Sequence, residues 1–106
     1  MKGKVKKDMA RKIIVEGENI TEQDLIKYEN EYIKKEPDVI EKLLPEIEIM
    51  WGKIDKSKLV EQLGEPHIDL DTCEISYPNN SFDNEHIILI EYSGEMSKFF
   101  NVSIEG

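Results

Sequence analysis

His67-Ile68-Asp69-Leu70-Asp71, Cys73-Glu74-Ile75-Ser76-Tyr77, His86-Ile87-Ile88-Leu89-Ile90-Glu91-Tyr92 and Phe99-Phe100-Asn101-Val102-Ser103-Ile104 follow one another through the C-terminal part of the chain. The first two runs alternate apolar and polar residues, the period-2 mark of a half-buried strand. Pro78-Asn79-Asn80-Ser81 has turn chemistry, and Ser93-Gly94-Glu95 reads as a second turn. Short strands joined by tight turns predict an antiparallel meander, with strands over 86–92 and 99–104 as its last pair.

The third run is apolar at Ile87, Ile88, Leu89 and Ile90, so both faces of that strand ask for cover. Ile88, Ile90 and Tyr92 can share a face with Phe100, Val102 and Ile104. Ile87 and Leu89 then lie on the opposite face, near Phe99. That face is covered by residues 38–54, or it is an apolar patch rimmed by acids.

Upstream the period changes. Ile20-Thr21-Glu22-Gln23-Asp24-Leu25 carries an N-cap threonine, an acid at N3 and the two apolar ends of a hydrophobic staple. Leu25, Tyr28, Tyr32 and Ile33 extend a helical stripe that Pro37 is expected to end. A second helix is predicted over 38–44; over 46–51 Pro45 and the alternation Glu46-Ile47-Glu48-Ile49 leave helix and strand both open. Asp55 caps a short helix over 56–63, stopped by Gly64 and Pro66. The expected fold is α+β: two to three N-terminal helices packed on a three- to four-stranded antiparallel β-meander.

The chain has 106 residues, 39% hydrophobic and 35% charged, which suits one domain over 1–106 with a single core. Cys73 is the only cysteine, so no intramolecular disulfide forms, and a lone thiol fits a reducing compartment. Ile13-Ile14-Val15 is too short to be the apolar region of a signal peptide, and no run is long enough to span a bilayer. The expected location is the cytoplasm.

Net charge is −9 and unevenly placed: +5 over residues 1–12, −5 over 13–60 and −9 over 61–106, where Lys98 is the one basic residue. Such a surface repels nucleic-acid phosphates and attracts basic partners. Residues 1–12 read as a flexible basic N-terminal tail.

No nucleophile elbow, phosphate-binding glycine loop or paired-cysteine motif is present. His67, Asp69 and Asp71 stand at period 2, so a strand would point all three to one side. Imidazole with carboxylates suits a transition metal, and Asp83, Glu85 or His86 could add ligands; the same spacing also describes an ordinary solvent face. Cys73 falls on the apolar face of its strand with Ile75 and Tyr77, as a structural cysteine does. Trp51, the single tryptophan, follows an apolar run and reads as core.

The stretch from Ser81-Phe82-Asp83-Asn84-Glu85-His86 through Ile90-Glu91-Tyr92-Ser93-Gly94 to Phe99-Phe100-Asn101-Val102-Ser103-Ile104-Glu105-Gly106 resembles small bacterial proteins of uncharacterised families, some of which resemble immunity proteins of polymorphic-toxin systems. The resemblance covers about the last 50 residues. It implies a cytosolic antitoxin-like binder without catalytic residues or cofactor.

The expectation is therefore a non-enzymatic protein-binding module meeting a basic, toxin-like partner. Its candidate contacts are Asp69, Asp71, Glu74, Asp83, Glu85, Glu91 and Glu95. Nucleic acid and membrane are not expected as partners. Two alternatives stand beside it: a small metal-binding protein or metal-dependent enzyme built on His67, Asp69 and Asp71, and a self-associating subunit that hides Ile87, Leu89 and Phe99.

Overall fold

The computed structural model describes residues 12–106. Residues 1–11 lie outside the described residues, and with them the basic tail expected over 1–12, Lys12 excepted. Helix α1 (Glu22–Trp51) opens as its sequence directs. Thr21 Oγ1 accepts the Asp24 amide at 3.1 Å, and Asp24 Oδ2 accepts the Thr21 amide at 3.1 Å. This reciprocal box satisfies two amides that the first turn leaves without partners.

The helix does not stop at Pro37. It runs 30 residues through Pro37 and Pro45, replacing the expected break, the separate helix over 38–44 and the open stretch 46–51. The reason lies in where the prolines point. Ile33, Pro37, Glu41, Pro45 and Ile49 form one outward stripe, all exposed. The carbonyls of Ile33 and Glu41, deprived of an amide donor, therefore face solvent. On the inward side Tyr32, Val39, Ile40, Leu43 and Ile47 stay in phase across both prolines and are buried. A continuous buried stripe outweighs a proline cost of about 3 kcal/mol. Gly52, at φ 92°, ends the run, its amide donating to the Glu48 carbonyl at 2.9 Å.

Helix α2 (Lys56–Leu63) conforms to expectation. Asp55 accepts the Ser57 amide at 3.1 Å and the Ser57 hydroxyl at 2.8 Å, and the hydroxyl first, then the amide, lower its pKa. Gly64 ends the helix at φ 77°, where a Cβ would lie 2.8 Å from the Asn79 carbonyl oxygen.

Strands β1 (Ile14–Glu16), β2 (His67–Asp69), β3 (Glu74–Tyr77), β4 (Ile87–Ser93) and β5 (Lys98–Glu105) form one five-stranded sheet in sequence order. From β2 to β5 it is the expected antiparallel meander. However, β1 pairs parallel with β2, so the sheet is mixed and has one strand more than predicted. The crossover between β1 and β2 consists of α1 and α2. Strand β2 is shorter than its sequence pattern: Asp69 Oδ1 accepts the amides of Asp71 at 2.9 Å and Thr72 at 3.1 Å, turning the chain before Leu70 and Asp71 can extend it. Cys73, at φ 60°, closes that turn instead of joining β3.

The helices cover one face. Ile68, Ile75, Tyr77, Ile88, Ile90, Tyr92 and Phe99 meet Tyr32, Val39, Ile40, Leu43, Ile47, Leu59 and Leu63 in a single core. The Tyr32 and Tyr77 hydroxyls meet at 2.7 Å, and Tyr32 donates to Glu36 at 2.9 Å, so buried phenols are hydrogen-bonded.

A bulge sets the last strand. Leu89 pairs with Ser103 and Glu91 with Phe100, so Asn101 and Val102 together oppose Ile90. Asn101 takes φ 49°, the left-handed region that asparagine tolerates. The extra residue flips the alternation. Phe99 is thereby core-facing at 7% exposure and Phe100 outward at 38%, the reverse of the expected placement. Val102 and Ile104 still reach the core side as expected.

Pro37→Ala restores a donor for the Ile33 carbonyl without disturbing the core. It is expected to raise the unfolding free energy by roughly 2–3 kcal/mol, the proline cost less the entropy that proline removes from the unfolded chain. Urea denaturation measures this, and an unchanged or lower midpoint contradicts it.

Candidate functional site

The face of the sheet turned away from α1 and α2 carries the side chains that alternate with the core. Residues opposite one another on paired strands share a face. The registers therefore place Glu16, Asp69, Glu74, Glu91 and Phe100 in one row across all five strands. Ile14, His67, Ser76, Leu89 and Ser103 form the neighbouring row. Four carboxylate stems thus stand at successive strand spacings of about 4.8 Å. Ile87 and Phe100, 40% and 38% exposed, add apolar surface to the same face.

Of the seven acids expected to contact a partner, the structure brings three together here: Asp69, Glu74 and Glu91. The other four serve elsewhere. Asp71 has left the strand and accepts the Glu18 amide at 3.0 Å, tying the β2–β3 turn to the chain entering α1. Glu95, at the β4–β5 turn, pairs with Lys27 of α1 and raises the lysine's pKa chiefly through that hydrogen bond. Glu85 is exposed in the loop between β3 and β4, where its amide donates to Asp83 at 2.9 Å.

Asp83 is the hub of that loop. It accepts the amides of Glu85 and His86 at 2.9 Å each, contacts His86 Nδ1 at 2.8 Å and accepts Trp51 Nε1–H at 3.1 Å. Desolvation works to raise its pKa, but the four hydrogen bonds together outweigh it and hold the carboxyl at about 2. Trp51, at the end of α1, stacks on Phe82 at 4.8 Å and meets the His86 ring edge-on at 6.0 Å. A carboxylate so fully occupied anchors the loop to the helix and has little left for a partner.

The residues expected to bind a metal do not converge. Asp69 is engaged by turn amides and Asp71 by Glu18. Among the described residues, no three histidine, cysteine or acidic side chains come together in a way that would hold a metal ion. His67 approaches Glu16 at 3.9 Å through Nδ1, while its Nε2 is sealed from solvent with no hydrogen-bond partner. Ser76 stands opposite His67 in the register without bonding to that nitrogen. The sealed Nε2 is therefore out of reach of a substrate in solution. Cys73 is half-buried, its Sγ 4.0 Å from the Leu70 carbonyl oxygen.

Glu16 is the member of the acidic row that sequence reasoning missed, because β1 was not anticipated. The available signal was Ile13-Ile14-Val15, three β-branched residues followed by Glu16 and Gly17. Among the described residues, no helix is long and apolar enough to cross a membrane. No family model, curated protein or solved structure matches the chain.

Because folding lowers the Asp83 pKa from an ordinary 3.8 to about 2, its contribution to stability is complete above pH ~4 and lost as pH falls to about 2. The stability gap between the native chain and Asp83→Asn is expected to close across that interval. Thermal unfolding of both proteins as a function of pH measures it; a gap of constant size contradicts the assignment.

Proposed function

We propose that this chain is a non-enzymatic protein-binding module that receives a basic partner on the open face of its sheet, in the manner of an immunity protein that blocks a toxin. The observation that carries this reading is the row Glu16, Asp69, Glu74 and Glu91. Like charges directly opposite on paired strands destabilise a sheet. Among the described residues, no lysine pairs with a carboxylate of this row, and His67 Nδ1, 3.9 Å from Glu16, is charged only when protonated. Carboxylates set side by side with so little internal neutralisation suit a surface whose counter-charge comes from outside.

The apolar side chains on the face complete the argument. Phe100 ends the acidic row, and Leu89 and Ile87 lie beside it on β4. Aromatic and aliphatic anchors supply most of the affinity at protein interfaces, while complementary charge speeds encounter and rejects wrong partners. A basic active-site cleft of a toxin that cleaves nucleic acid fits such a surface, because spaced carboxylates present negative charge as a phosphate backbone does.

The test is co-purification with the product of the adjacent gene, followed by a salt titration. Affinity is expected to fall at least tenfold as salt rises from about 0.05 to about 0.5 M. Replacing both Glu74 and Glu91 by glutamine should weaken the complex by about tenfold or more while raising the unfolding free energy by roughly 0.2–1 kcal/mol. Loss of binding with a gain in stability is what a binding row predicts. A salt-insensitive complex, or variants that bind as well as the native chain, would sink the reading.

A further inference from the structure

Strand β5 is an outer strand of the sheet, and among the described residues β4 is its single sheet neighbour. At eight residues it is also the longest strand. A free strand edge presents backbone donors and acceptors to any strand that can lie beside it. Bulges and lysines usually discourage such pairing, and β5 has both, at Asn101 and Lys98. Here the two features together specify which strand fits.

We propose that the occupant is β5 of a second copy of this chain, running antiparallel over its whole length and joining two sheets into one. A twofold axis relating two antiparallel edge strands lies along the sheet normal. Residues paired across it must therefore come from the same face of the chain. In a regular strand the first and last of eight residues lie on opposite faces, so full overlap would set core side chains against open-face ones. The Asn101 bulge removes that conflict.

Lys98 pairs with Ser93 and Glu105 with Ile87, and all four side chains are on the open face. Phe99, opposite Tyr92, and Ile104, opposite Ile88, are both on the core face. Phe100 and Ser103, opposite Glu91 and Leu89, are again both on the open face. Full antiparallel overlap sets Lys98 against Glu105 of the second copy, Phe99 against its Ile104 and Phe100 against its Ser103. Asn101 and Val102 flank the axis, and every contact occurs twice.

Charge selects this register. Lys98 is the one basic residue between 61 and 106, and it meets an acid at each end of the paired strands. Among the described residues neither Lys98 nor Glu105 belongs to an ion pair within one chain. A parallel arrangement sets lysine beside lysine, and sliding by one residue mixes the two faces. This inference does not rest on the partner-binding proposal: it uses the edge of the sheet, whereas that proposal uses the open face.

Sedimentation equilibrium of the full chain at about 0.15 M salt, from about 1 μM to about 1 mM, tests it, since screening there limits the mutual repulsion of two acidic chains. The expected result is a doubling of the 12.3 kDa chain mass with rising concentration. Lys98→Glu makes both cross-copy pairs repulsive and is expected to weaken the dimer about tenfold or more. The combined Lys98→Glu, Glu105→Lys exchange should return the dissociation constant to within about threefold of native. Both side chains are exposed, and circular dichroism of each variant verifies the fold. A monomer throughout the range overturns the proposal. So does a dimer indifferent to Lys98→Glu or one that the exchange fails to restore, because another surface, such as the outward stripe of α1, would then carry the association.

Discussion

One long helix offers one apolar stripe, and that limit governs the whole architecture. Helix α1 lays Tyr32, Val39, Ile40, Leu43 and Ile47 along the sheet, and the short α2 adds Leu59 and Leu63 to the same layer. No further described element lies on the other face. Five strands therefore have a dry side and a wet side, and each strand has to divide its residues between them. Ile68 and Ile75 go inward while His67, Asp69, Glu74 and Ser76 go outward. The acidic row follows from this one-sided cover together with the registers that align Glu16, Asp69, Glu74 and Glu91.

The same limit explains why proline is tolerated within α1. A helix held by one buried stripe can lose hydrogen bonds on its outer side without losing the packing that holds it in place. Pro37 and Pro45 both fall on that outer side. Had either replaced Val39 or Leu43, the ring and the missing amide would have stood against the sheet. The local preference to end a helix is real, but it is smaller than the combined burial of the residues on both sides of each proline.

What the sequence discloses and what it conceals divide along this line. Caps are local chemistry: Thr21 with Asp24 and Asp55 with Ser57 can be read directly, and both helices begin where those residues place them. The meander is legible because alternation and turn residues are also local. Strand β1 is not, because three residues become a strand only through pairing with His67–Asp69, more than fifty positions away. The inversion of Phe99 and Phe100 is concealed for a different reason. Two adjacent phenylalanines fit either face equally well, and the bulge that decides between them rests on a single asparagine at positive φ. The candidate site inherits both gaps. Asp69, Glu74 and Glu91 can be nominated from strand periodicity, but Glu16 cannot, and nothing in the sequence separates them from Asp83, whose hydrogen bonds commit it to holding a loop.

That division between acids also bears on how the surface could be used. Asp71, Asp83 and Glu95 are tied to amides, an indole or a lysine, and each pins a turn or loop to α1 or its approach. They stiffen the rim of the sheet. In the row on the open face Asp69 is held by two turn amides and Glu74 by the Thr72 hydroxyl. Among the described residues, however, no lysine pairs with any of its four carboxylates, and its repulsion is borne by the strand pairing itself. A binding surface benefits from that arrangement, because rigid strands hold charged groups in place without neutralising them. The bulge in β5 adds one further consequence. A twofold axis along the sheet normal keeps the open faces of two copies on the same side, so edge pairing would extend the charged face without covering it. The edge and the face are thus independent resources of a single sheet, and both exist because the helices occupy only the opposite side.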